Sequence, residues 1–143
     1  MVNEVIADPL TVANRLRPVL LRLSRELRKE TEQLGLTSRQ VTLLWLIRVN
    51  SEMSLRQLAA EERISAPALS GHVDRLEKAG LIERLRDAAD RRRVGLTLTA
   101  EGERLLRRVR ARRTTWLAER LRGLDDGELA AIEAAIEPLG RLL

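Results

Sequence analysis

The sequence has no cysteine, no tyrosine and no phenylalanine, and it has one histidine, His72. The missing thiols exclude disulfides, zinc–thiolate centres and thiol redox sensing together. One imidazole is too little for a histidine-built metal site or a histidine-based catalytic triad. Trp45 and Trp116 are the only aromatic rings. A stacking platform for single-stranded nucleic acid needs several exposed rings, so that class is excluded too. No apolar run approaches the ~18 residues needed to cross a bilayer. The opening "MVNEVIADPL" lacks the basic, apolar and cleavage segments of a signal peptide. No paired carboxylates, activated nucleophile or Gly-rich phosphate loop stands at a meaningful spacing. The expectation is a cytoplasmic protein with no cofactor, no enzymatic activity and no membrane partner.

What is present is charge with a texture. The chain has 143 residues, 44% hydrophobic, which suits a single domain with a real core. Its net charge is +5, and every basic residue except Lys29 and Lys78 is arginine. Residues 84–93, "RLRDAADRRR", hold five arginines against two aspartates, whereas the segment from Asp125 to Leu143 holds five carboxylates and one arginine. A basic stripe beside an acidic, apolar end points to a polyanion on one side only. With stacking excluded, duplex DNA is the favoured polyanion.

Asp8 followed by Pro9 is a helix start, and Val12, Leu16, Val19, Leu20, Leu23 and Leu27 recur at helical spacing to about Gln33. Pro18 inside that pattern implies a kink or a later true start. Thr37 with Gln40, and Ser54 with Gln57, are capping boxes. The first opens "VTLLWLIRV", apolar nearly all round and expected to be the buried centre, Trp45 included. The second opens a short helix to about Glu62. "RIS" allows only a turn, Ser65 caps the next helix, Pro67 fits its first turn, and Gly80 supplies a left-handed end. Residues 54–80 therefore read as helix-turn-helix. "LIERLR" and "RRRVGLTLT" flank the polar "DAAD" as a hairpin. Thr99 then caps a long helix running to about Leu124. Its apolar stripe is Leu105, Leu106, Val109, Trp116, Leu117 and Leu121. Asp125 or Asp126 caps a last helix with Leu129, Ile132, Ile136, Leu139 and Leu143 on one face.

The helix "SAPALSGHVDRLEKAG" has an inward stripe of Leu69, Val73 and Leu76 and a thin outer face. A mid-helix glycine costs roughly 1 kcal/mol against alanine, so Gly71 needs a reason. Packing against another helix is one. Close docking into a major groove about 12 Å wide is the favoured one, because the arginines nearby supply the charge such docking needs. Ser70 can donate or accept a hydrogen bond there. Arg75 suits a phosphate, a guanine edge, or a salt bridge with Asp74 or Asp90. Asp74 would repel phosphate unless paired, and is expected to orient an arginine. Arg84 and Arg86 suit phosphate contacts or solvated positions. His72, off the buried stripe, reads as a half-buried packing residue. The "DAADRRR" loop can place an arginine in a narrow minor groove.

Residues 54–106, above all "DRLEKAGLIER" and the run of Asp90, Arg91, Arg92, Leu98, Thr99 and Gly102, resemble the multiple-antibiotic-resistance regulator (MarR) family of winged-helix transcription factors. "LTSRQ" and the terminal helices extend the resemblance over nearly the whole chain. It implies a mainly α fold with a small β-hairpin, a winged helix-turn-helix flanked by N- and C-terminal dimerisation helices. The winged-helix lobe would be 35–100, with 1–34 and 101–143 forming the dimerisation helices. It implies a homodimeric, sequence-specific repressor on an inverted-repeat operator, relieved by a small anionic or aromatic effector. The recognition positions fall on Ser65, Ala66, Pro67, Ala68, Ser70, Gly71 and Arg75. Arg92 is then the wing arginine, Asp90 helps hold the wing, and Arg91 and Arg84 are further DNA contacts. Gly71 departs from the family, many of whose members carry arginine there, so a base contact is not carried over to it. Arg15, Arg17 and Trp45 are candidates to line an effector pocket, but none is assigned.

Overall fold

The computed structural model describes residues 6–50, 53–86 and 94–143, with backbone only for Arg86 and Val94. Among the described residues, six helices and one hairpin follow in chain order: α1 (Pro9–Glu32), α2 (Ser38–Val49), α3 (Leu55–Glu62), α4 (Ala66–Lys78), β1 (Ile82–Arg86), β2 (Val94–Leu98), α5 (Ala100–Leu121) and α6 (Asp126–Gly140). The chain divides into two compact units, Thr31–Ala111 and Met1–Glu30 with Arg112–Leu143.

The first unit is built around α2. Thr37 opens this helix with its hydroxyl accepting the Gln40 N–H at 3.2 Å, while the Gln40 side chain accepts the Thr37 N–H at 2.9 Å. Val41, Leu43, Leu44, Leu46 and Ile47 are buried. Leu58 and Ala59 of α3, Leu69, Val73 and Leu76 of α4, Leu81, Ile82, Leu96 and Val109 join them in one core. Trp45 corrects an expectation. It is 50% exposed, as is Val49 one turn later, because the other residues of α2 already fill the core.

Ser54 repeats the reciprocal capping on α3, with Gln57 as partner. The turn to α4 passes through Arg63 at φ 53°, a left-handed conformation, with its N–H returning to α3. Gly80, at φ 74°, ends α4 as the sequence indicated. β1 and β2 pair antiparallel, with Ile82 opposite Leu98 and Arg84 opposite Leu96.

In the second unit, α1 starts at Pro9, where Asp8 accepts the Thr11 N–H at 3.2 Å, and runs on with Pro18 inside it. Asp125, rather than Asp126, caps α6 in a reciprocal pair with Glu128. The apolar stripes of both helices are open in the single chain. Val12, Val19, Leu20 and Leu23 of α1, and Leu129, Ile132 and Ile136 of α6, are all exposed, and no residue of α6 is buried. No helix among the described residues is long and apolar enough to cross a membrane.

Candidate nucleic-acid interface

Contacts at both ends of α4, and one between the helices before it, set its place in the unit. Ser65 caps it by accepting the Ala68 N–H at 3.2 Å, and Pro67 sits in the first turn, where its missing N–H costs nothing. Arg39, at the start of α2, donates to the Glu62 carbonyl at 3.3 Å and to its carboxylate at 3.2 Å, tying α2 to the end of α3. At the far end, the Thr99 hydroxyl donates to the Gly80 carbonyl at 2.6 Å, and the Thr99 N–H donates to Leu81 O at 3.0 Å. The Thr99 oxygen also accepts the Gly102 N–H at 3.1 Å, so one side chain caps α5 and anchors the end of α4.

With Leu69, Val73 and Leu76 turned into the core, Ser65, Ala66, Pro67, Ala68 and Ser70 are exposed. Gly71 is half-buried, yet nothing among the described residues lies within 4 Å of where its Cβ would stand. The glycine packs against no neighbour among the described residues, and α4 presents a small-residue surface with a vacancy in it. Arg75 is exposed and has no ion pair among the described residues. His72 is half-buried, with Nδ1 unpartnered among the described residues.

Asp74 does orient an arginine, and it is Arg84. The Arg84 guanidinium pairs with the Asp74 carboxylate and, through Nε at 3.4 Å, with Glu77. Asp90, Arg91 and Arg92 lie outside the described residues. Sequence reasoning missed the Arg39–Glu62 tie, the left-handed Arg63 and the partner of Asp74. Only Asp74 carried a usable signal, a carboxylate on a face meant for phosphates.

A sequence profile of the MarR family matches residues 36–94, from the cap of α2 to the start of β2. The HTH-type transcriptional regulator FarR of Neisseria gonorrhoeae is 38% identical over 87 residues, 61% of this chain and 60% of its own. A proposed transcriptional regulator from Pseudomonas aeruginosa, of known crystal structure, is 34% identical over 93% of this chain and 94% of its own, with a TM-score of 0.78. The chain belongs to the MarR family of transcriptional regulators. A mutant of the Staphylococcus aureus protein MepR, bound to an oligodeoxyribonucleotide, shares the fold of this MarR-family chain, with a TM-score of 0.72 over 92% of this chain and 97% of its own at 22% identity. The MarR profile thus spans α2, the helix-turn-helix and β1, and it ends before Thr99, which anchors the end of α4.

Proposed function

We propose that this regulator reads duplex DNA as a homodimer on an inverted repeat, in the cytoplasm, as a repressor released by a small anionic or aromatic molecule. In this reading it is not an enzyme. The observation that carries the proposal is the outer face of α4, where small side chains surround the vacancy at Gly71 and Arg75 stands unpaired among the described residues. A face without bulk lets the helix backbone approach base edges. Ser65, Ala66, Pro67, Ala68, Ser70, Gly71 and Arg75 would meet the major groove. Arg91 and Arg92, with Asp90 holding the loop, would meet the adjacent minor groove, where narrow tracts attract guanidinium groups. The oligodeoxyribonucleotide bound to the MepR mutant supports this use of the fold.

In this reading residues 35–100 form the reading lobe, while 1–34 and 101–143 pair with a second copy. The open apolar stripes of α1 and α6 favour pairing. A two-fold dimer sets two recognition helices about 34 Å apart, one turn of DNA.

The test is fluorescence anisotropy over a salt series, comparing a duplex enriched from a random pool with unselected duplex. Tight, strongly salt-dependent binding that prefers the enriched duplex is expected. Equal affinity for both would make the protein a non-specific architectural binder. No binding to either by a folded dimer would make it a protein-interaction module.

A further inference from the structure

Arg84 is one of the basic residues whose position in the sequence suits a phosphate contact, but its surroundings point elsewhere. Along β1, residues two apart share a face. Arg84 therefore shares its face with Ile82, which is 1% exposed, and it lies opposite Leu96, which is 2% exposed. Glu83 and Leu85 take the other face. Arg84 thus leaves the strand on the core side, where α4 lies, and its side chain is only 34% exposed. There it meets two carboxylates one helical turn apart, Asp74 and Glu77. The planar guanidinium fork offers separate N–H groups to both partners at once. A guanidinium engaged in this way has little charge left for a phosphate.

We infer that Arg84 is a positioning residue: its pairing with Asp74 and Glu77 fixes the base of the wing to the recognition helix, so that α4 and the wing reach DNA in one register. The inference rests on the DNA-reading function proposed above. Two chain segments that must enter adjacent grooves need a fixed separation, and a site left about 1 Å too loose by its supporting contacts fails even with its residues present. β1 is the strand that leads into the wing. The pairing also offsets one of the two negative charges that Asp74 and Glu77 place on the helix meant to face phosphates.

Two measurements test this, one without DNA. Amide hydrogen exchange on the free dimer should show faster exchange across β1 and β2 in Arg84→Gln than in wild type, with core amides of α2 unchanged. The second is the anisotropy salt series with Arg84→Gln, Asp74→Asn and the conservative Asp74→Glu. For Arg84→Gln and Asp74→Asn, affinity for the enriched duplex should fall about tenfold, as for a displaced reading element. Affinity for unselected duplex should hold, and the salt slope should be unchanged. Asp74→Glu should recover most of the loss, and the double variant should be no worse than either single one. A purely structural defect would instead lower the active fraction towards both duplexes alike.

Tighter binding by Asp74→Asn would overturn the inference, since removing a negative charge would then have helped. A salt slope lower by about one in Arg84→Gln would equally mean that Arg84 neutralises a phosphate. If wild type bound no duplex at all, the DNA-reading function would fail, and the exchange measurement alone would decide whether the clamp exists. Unchanged exchange would overturn the clamp whatever the DNA result.

Discussion

Gly102 lies against the Leu81 carbonyl so closely that a Cβ on residue 102 would stand 2.2 Å from that oxygen. The obstacle is backbone, held in place by the Thr99 N–H on the same oxygen and by the Thr99 hydroxyl on Gly80. No side chain can swing aside to make room. Gly102→Ala should therefore destabilise the protein by about 1–3 kcal/mol, the range for forced overpacking. Urea unfolding checks this, and an unchanged midpoint would mean that α5 shifts freely against β1.

Arg63 holds a left-handed backbone between α3 and α4, which costs an L-residue about 1–2 kcal/mol. Glycine adopts that conformation without the penalty but loses more freedom on folding, by about 0.5–1 kcal/mol. Arg63→Gly should give a net gain of up to about 1.5 kcal/mol, seen as a higher melting temperature with unchanged helix content.

Ile136 of α6 is 64% exposed in the single chain, so a charge there should leave the chain's own fold intact. In a two-fold interface the same substitution appears twice and buries an unpaired carboxylate, at a cost of several kcal/mol. For the homodimer proposed above, Ile136→Glu should give a folded monomer in light-scattering chromatography and lose tight binding to the enriched duplex. A dimer of normal mass would remove α6 from the interface.

Asp125 accepts the Glu128 N–H at 2.8 Å. This backbone bond, then the Glu128 side chain and the Gly127 N–H, against a smaller desolvation, hold its pKa below the ordinary aspartate value. A carboxyl depressed on folding stabilises above its unfolded pKa and loses that stabilisation as pH falls through the folded one. The start of α6 should therefore fray only below about pH 4. The Glu128 amide shift, followed by NMR against pH, should report a midpoint below the ordinary value, and Asp125→Asn should abolish the titration.

What the sequence made legible was local. Thr37 and Ser54 each name their own partner three residues on, because a cap closes within one turn, whereas Asp125 and Asp126 stood level until the structure chose Asp125. The inward stripe Leu69, Val73, Leu76 and the left-handed Gly80 follow from periodicity and turn chemistry in the same way. Trp45 failed for the opposite reason. A helix apolar all round carries no mark of which side the rest of the chain will cover, and only the packed structure turns Trp45 outward. Asp74 announced a need for a cation, yet naming Arg84 required knowing that β1 returns beside α4. Gly102 was visible as part of a motif, but its reason lies in a carbonyl twenty-one residues earlier.

The empty space over Gly71 separates two properties that usually change together. A helix-interior alanine there should gain about 1 kcal/mol from propensity alone, and nothing among the described residues lies within 4 Å of its Cβ. Substitutions at this position can therefore alter what the helix touches without first weakening the scaffold. On the DNA-reading function proposed above, a lineage could move its operator preference through residue 71 by single folded steps.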